Sequence, residues 1–192
     1  MNLKEHFTTP IIVKGQIKVF EQDNPANILF EDKNVICLNT KYLFARLMAD
    51  SSEPQNGVWG LAVGAGAPDW PANSQPDALS SQQGIITPLL RKKCSSQRFV
   101  GLDLNTVPNN GFSNMVDFQT ILNATTDGIT TPIRELGLIG GGILGTDMYT
   151  APFFNSASVS TVDSVVMINY KTLPPLKLPE GINFIFSWIL SF

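Results

Sequence analysis

Charge is scarce in this sequence. Only 15% of its 192 residues are Asp, Glu, Lys or Arg, against roughly a quarter in soluble domains. The net charge of −3 provides no basic field for nucleic acid, whose binding depends on neutralised phosphates, so no nucleic-acid partner is expected. Either Asn, Ser, Thr and Gln solubilise a β-rich domain, or part of the surface is covered by copies of the chain or by neighbouring proteins.

Histidine and cysteine are equally scarce. The single histidine, His6, lies near the amino terminus, where a general base for a Ser-His-Asp or Cys-His arrangement is not expected. Cys37 and Cys94 lie far apart and outside any CxxC pair, so a four-ligand zinc set cannot be assembled. The composition therefore predicts a non-enzymatic protein with no catalytic residue, no metal and no cofactor.

Scattered carboxylates leave one catalytic alternative open, because two of them can converge in space as a glycosidase pair. The candidates are Asp103, Asp117, Asp127, Glu135, Asp147 and Asp163. Most of the aspartates stand in turn contexts such as Asp127-Gly128, where local hydrogen bonding is the ordinary explanation.

No export signal is visible, since Met1 to Phe7 carries Lys4, Glu5 and His6 and no apolar region follows. The longest apolar segment, Ile182 to Phe192, is too short to cross a bilayer as a helix. We therefore expect synthesis in the cytoplasm without a signal peptide, and no membrane insertion.

Alternation of apolar and polar residues is the main structural signal. It is clearest at the carboxyl end, where every even position from Ile182 to Phe192 is apolar, and it predicts a strand with one buried face. Similar patterns predict strands at 11–20, 28–37, 58–64, 87–100, 115–122, 131–139 and 162–171. We expect four aromatic residues to anchor the core, namely Trp59, Phe184, Phe186 and Trp188.

A change of period at Thr40 to Ala49 predicts a single short helix, because Leu43, Phe44, Leu47 and Met48 fall on one helical stripe. About eight strands and one helix over 1–192 predict one mainly β domain with a β-sandwich-like two-sheet architecture.

A long loop rich in Pro, Ser, Asn and Gln follows Gly64-Ala65-Gly66 and extends to about Ser81. Loops of this length are often functional, and Trp70 is its candidate contact residue. The alternative is that Trp70 folds back and anchors the loop. The glycines here and at Gly140-Gly141-Gly142 favour turns, bulges or close packing over a phosphate loop.

The order of several motifs resembles a family of small β-rich proteins from tailed-phage structural gene clusters and related contractile injection particles. The segments that carry the resemblance are Asn39 to Leu47, Trp59 to Gly66, Ile133 to Gly140, Asn169 to Leu176, and the last strand with Trp188 and Phe192. The resemblance implies a subunit of a tail, neck, baseplate or fibre attachment, located in the virion or assembled particle. Its expected partners are copies of itself and other structural proteins of the particle.

Two functions of different classes follow as hypotheses. The first is a non-enzymatic structural subunit that acts by symmetric assembly, with the last strand in the core and the loops at Ala67–Gln83 and Tyr149–Ser160 reaching neighbours. The second is a carbohydrate- or receptor-binding module on a β-sandwich, in which Trp70 and nearby polar side chains contact a host-surface glycan.

Overall fold

Eleven strands and one helix make up the regular structure of the part of the chain that the structure describes. The structure is a computed structural model, and it describes residues 13–49, 57–107, 113–141, 153–154 and 165–192. The elements are β1 (Lys14–Glu21), β2 (Ile28–Lys33), β3 (Val35–Ile36), α1 (Thr40–Ala49), β4 (Val58–Gly64), β5 (Pro88–Lys93), β6 (Ser96–Phe99), β7 (Met115–Asn123), β8 (Ile133–Gly141), β9 (Phe153–Phe154), β10 (Val165–Leu176) and β11 (Asn183–Ser191).

The strands form two antiparallel sheets that pack face to face. The five-stranded sheet has the order β2-β1-β11-β7-β6, and the six-stranded sheet has the order β3-β10-β8-β4-β5-β9. This arrangement confirms the predicted mainly β, two-sheet sandwich-like fold with one short helix, and α1 has the predicted bounds.

The main core lies between the inner faces of the two sheets. β11 is central in its sheet, and it contributes Phe184, Phe186 and Trp188, all of which are buried. Leu136 and Leu138 of β8 meet them from the other sheet as members of the same cluster. The backbone of the fourth expected anchor, Trp59, lies in β4, but its side chain lies outside what the structure describes.

Two predicted strands are each divided between the sheets, and the prediction of one continuous strand was wrong in both places. The predicted strand 28–37 becomes β2, which pairs with β1, and β3, which pairs with β10. The predicted strand 87–100 becomes β5 and β6, again in different sheets. Alternation reports which face of a strand is buried, but it contains no information on which sheet the strand joins.

Two further predictions need correction. β10 continues through Pro174 and Pro175 to Leu176, beyond the predicted end of this strand at residue 171; the prolines from residue 172 onward indicated an edge or a crossing segment, and the segment is an edge. The prolines are tolerated because β10 pairs with β3 only at Asn169 and Tyr170 and is otherwise bordered on that side by no described strand, which is where proline is accepted in a sheet. Phe153–Phe154, predicted as loop, forms the short edge strand β9, and the rest of Tyr149–Ser160 lies outside the described residues.

The helix closes one end of the sandwich. Leu43 is buried in the main core, and the hydroxyl of Thr40 donates to the backbone oxygen of Ile168 at 2.8 Å. The ring of Phe44 packs against the ring of Phe192, with their centroids 5.6 Å apart. α1 is thereby attached to both β10 and the end of β11.

Candidate functional site

The long polar loop, residues 65–87, lies across the outer face of the six-stranded sheet; we call it the covering loop. Ala78 and Ile85 of this loop pack against a second, smaller apolar cluster on that face. The cluster consists of Cys37, Ala62, Ile139, Met167 and Tyr170. The covering loop therefore acts as a partial third layer, and its inner surface is occupied by its own sheet.

Glu135 of β8 is the polar centre beneath this loop. Its side chain is fully buried (0% exposed). The backbone N–H groups of Gly66 and Thr87 donate to Oε2 at 3.0 and 3.2 Å, and that of Ile86 donates to Oε1 at 3.1 Å. A buried carboxylate is tolerated when its oxygens are satisfied by fixed donors. Glu135 thus joins the two ends of the covering loop to the middle of the sheet.

Tyr170 completes this network from β10. Its hydroxyl donates to Glu135 Oε1 at 2.6 Å, the short distance typical of a hydrogen bond to a charged acceptor. Burial, and then the hydrogen bond to Glu135, raise the pKa of Tyr170 well above its ordinary value. Tyr170 is therefore a permanent proton donor to the carboxylate at neutral pH.

Trp70, the candidate contact residue, is half-buried in the covering loop. Its ring packs onto Gly66, where a Cβ would collide with the indole. Gly66 also has a φ of +76°, a conformation that side chains disfavour. The Arg134 guanidinium lies 5.4 Å from the centroid of a Trp70 ring. The geometry thus has Trp70 folded against its own chain, as in the anchoring alternative.

Arg134 also holds the backbone of the same loop. Its guanidinium donates to the backbone oxygens of Trp70 (3.4 Å), Pro71 (2.6 Å) and Ser74. Successive residues of β8 thus bind the covering loop through opposite kinds of backbone group, Glu135 through N–H groups and Arg134 through carbonyl groups. This pair was not predicted as a unit; an acid and a base inside an otherwise apolar strand were the available signal.

The other buried acids also have assigned structural partners. Asp117 of β7 forms an ion pair with Arg98 (2.8 Å) and accepts a hydrogen bond from Ser187 (2.7 Å). Asp127 pairs with Lys92 (2.9 Å) and accepts from the Asn123 N–H (3.0 Å). Asp117 and Glu135 belong to different sheets and share no hydrogen-bond or ion-pair partner among the described residues.

The remaining predicted chemistry can be placed only in part. Asp103 lies in the exposed loop that follows β6, where it accepts hydrogen bonds from Asn105. His6, Asp147 and Asp163 lie outside the described residues. Within the described ranges, no group of three or more His, Cys, Asp or Glu side chains is arranged to hold a metal ion. No helix in these ranges is long and apolar enough to span a membrane.

Both cysteines are free thiols. Burial raises the pKa of Cys37 to about 12. Burial also raises the pKa of Cys94 to about 11, an effect reduced by the hydrogen bond from Thr120. Thiols with raised pKa values are poor nucleophiles at neutral pH, which is consistent with a packing role.

An exposed apolar corner was not identified from the sequence. It lies where β6 ends, β7 begins and β11 ends, and its large side chains are Phe99, Leu102, Leu104 and Phe192. The N–H of Phe192 donates to the Asn114 oxygen at 2.9 Å, and the Asn114 amide donates back to the Phe192 oxygen at 2.7 Å. These bonds hold the corner together, and exposed apolar groups on an ordered surface are typical of contact sites.

The sequence matches no family model and no curated protein. The fold itself defines the class to which the chain belongs, a mainly β protein with two antiparallel sheets and one short helix.

Proposed function

We propose that the protein is a non-enzymatic structural subunit of a phage-type particle or a related contractile injection particle, which acts by symmetric assembly and by contacts with neighbouring subunits. The observation that carries the proposal is the ordered apolar corner at Phe99, Leu102, Leu104 and Phe192. A chain of low charge that displays apolar side chains at an ordered corner of its sheet is suited to repeated protein contacts.

The buried polar groups support the same proposal. Glu135, Asp117 and Asp127 each accept hydrogen bonds from fixed donors of the fold. Acids whose oxygens are satisfied by such donors hold loops and strands in place. Their chemistry serves rigidity, which a subunit with repeated contacts requires.

The position of Trp70 bears on the alternative, a carbohydrate- or receptor-binding module. A sugar platform needs an accessible aromatic face, whereas the Trp70 ring packs on Gly66 and beside Arg134. We therefore propose assembly as the function of the protein and treat glycan binding as the alternative. A glycan array separates the two functions: binding that disappears in a Trp70→Ala variant of unchanged fold would establish the alternative.

Self-assembly is tested by light scattering behind gel filtration over a wide range of protein concentration. We expect the mass to rise above that of the 21.0 kDa chain toward a defined oligomer or a growing polymer. A mass of one chain at every concentration would contradict self-assembly. The location in a particle is tested independently, by immunogold labelling of purified particles with an antibody against this chain.

A further inference from the structure

The loop after β6, residues 100–107, presents an unusually exposed leucine; we call it the corner loop. Leu102 at its tip is 93% exposed. The tip is closed by hydrogen bonds from the Gly101 N–H to the Asn105 oxygen and from the Leu104 N–H to the Gly101 oxygen, both at 2.9 Å. Asp103 accepts from the backbone and side chain of Asn105 at 3.1 and 2.8 Å.

The backbone conformation of the corner loop holds the exposed Leu102 in one defined position. Leu104 has a φ of 61°, a left-handed conformation that is uncommon for any residue other than glycine, Asn or Asp. Such a conformation persists only where the surrounding structure imposes it, and it is concentrated at functional sites. Here the surrounding hydrogen bonds hold Leu102 and Asp103 outward from a rigid base.

A complementary pocket lies between the β7–β8 turn and the β10–β11 connection; we call it the end pocket. Its volume is about 330 Å³. Ala124, Ile129 and Leu178 contribute apolar surface that is continuous with the main core. Lys177 and Glu180 stand among the polar residues of its lining.

The walls of the end pocket are also fixed. The Gly181 N–H donates to the Thr125 hydroxyl at 3.1 Å, which joins the connection to the turn. Within the turn, the Ile129 N–H donates to the Ala124 oxygen at 2.9 Å. The pocket is therefore formed before any ligand arrives, which lowers the ordering cost of binding.

The corner loop and the end pocket lie at opposite ends of the five-stranded sheet. Met115, where β7 begins, is next to the corner loop, and Asn123, where it ends, adjoins the pocket turn. Nine residues of strand separate the two ends by about 30 Å. In an end-to-end stack of chains, the corner loop of one chain therefore meets the end pocket of the next in a head-to-tail arrangement.

We propose that the end pocket of one subunit binds the corner loop of a second copy of this chain, with Leu102 inserted against Ala124, Ile129 and Leu178 and with Asp103 paired to Lys177. This inference rests on the proposed assembly function and names the surface that would perform it. The charges are complementary: Asp103 is an exposed carboxylate, and Lys177 has no ion pair with another described residue. A heterologous contact of this kind closes into a ring or grows into a filament.

Truncation of Leu102, at the tip of the corner loop, is the first test. Leu102→Ala removes an exposed side chain, so the fold should be unchanged while the apparent dissociation constant of self-association rises by about tenfold or more, as for a central interface residue. Leu79→Ala is the matched control, because Leu79 is also exposed (61%) but lies in the covering loop. Sedimentation equilibrium of the full chain measures both variants against the unmodified protein.

A charge exchange then tests the pairing itself. Asp103→Lys alone places two lysines at each junction, and Lys177→Asp alone places two aspartates there, so each variant should associate more weakly than the unmodified chain. In a mixture, subunits of the two variants that alternate along the assembly have an opposite-charge pair at every junction, so association should recover. A merely structural role of Asp103 or Lys177 would give no recovery on mixing.

The outcomes separate this surface from the proposed function. If the unmodified chain associates while Leu102→Ala associates equally well, the head-to-tail contact is wrong and another surface performs the assembly. If Leu102→Ala weakens association but the charge mixture does not recover, the Asp103–Lys177 pairing is wrong. If the unmodified chain remains a monomer at every concentration, both self-assembly and this contact are overturned.

Discussion

At the scale of single residues, the chain uses buried acids as fixed attachment points. Glu135 accepts four hydrogen bonds from donors that carry no charge, three from the backbone and one from Tyr170. Such a group stabilises only while every donor remains paired, because an unsatisfied buried donor costs about 1–3 kcal/mol. The stabilisation that this network provides therefore depends on the number of acceptor atoms at position 135.

Glu135→Gln should destabilise the protein more than Tyr170→Phe does. The glutamine amide replaces one acceptor oxygen with a donor, which leaves backbone N–H groups unpaired and costs about 2–4 kcal/mol. The phenylalanine removes one hydrogen bond from the side of the donor and costs about 1 kcal/mol. Urea unfolding curves measure both changes; equal effects of the two substitutions would contradict this account of Glu135.

Cys37 should make stability depend on pH in the alkaline range. Its pKa is about 12 in the fold and 9.0 in an ordinary environment, so the folded state holds this proton more tightly. The associated stability is complete below pH 9 and is lost as the pH rises toward 12, at up to about 1.4 kcal/mol per pH unit. The unmodified chain should thus lose stability faster than Cys37→Ala between pH 8 and pH 11 in urea titrations. Parallel curves would contradict the prediction.

At the scale of elements, the covering loop converts the sandwich into a partly three-layered structure. Arg134 holds the loop through the backbone oxygens of Trp70, Pro71 and Ser74, while the strands beneath it are held by sheet hydrogen bonds of their own. The loop is therefore expected to open locally with a lower free energy than the core requires.

Arg134→Ala should release the covering loop without unfolding the sheets. Hydrogen exchange of the Trp70 and Ser74 amides, which donate to Ala67 and Pro71 respectively, should become faster, while amides of β7 and β11 keep their protection. Arg134→Lys is the conservative comparison, since one ammonium cannot reproduce the fork that reaches three carbonyl groups. Uniformly faster exchange throughout the chain would show that Arg134 supports the whole fold instead.

β11 is the element on which the main core depends. Trp188 is 1% exposed at its centre, so Trp188→Ala should lower the free energy of unfolding by about 3–5 kcal/mol, through lost transfer free energy and the cavity left behind. Phe99→Ala provides the control, because this aromatic residue is half-exposed on the edge strand β6 and should cost far less. Denaturant or thermal unfolding measures both, and an unchanged midpoint for Trp188→Ala would refute the core assignment of β11.

At the scale of the whole molecule, periodicity in the sequence was sufficient to predict the fold class but not to predict how the strands are distributed between the two sheets. The helix at Thr40–Ala49 and the strand at 58–64 were predicted with the bounds that the structure has, because each has a local signal. The divisions at β2–β3 and β5–β6 depend on pairing with distant strands, which no local pattern encodes. The network around Glu135 was missed for the same reason, since its donors come from residues 48–69 positions away.

Assembly, if it proceeds through the corner loop, should make the thermal stability of the protein depend on its concentration. A partner that binds only the folded state raises the midpoint of unfolding by mass action. The melting temperature of the unmodified chain should therefore rise with protein concentration, whereas that of Leu102→Ala should remain nearly constant. At high dilution the two midpoints should coincide, because Leu102 is 93% exposed and contributes little to the core. Differential scanning calorimetry over a hundredfold range of concentration measures this, and equal slopes for the two proteins would show that Leu102 takes no part in the contact.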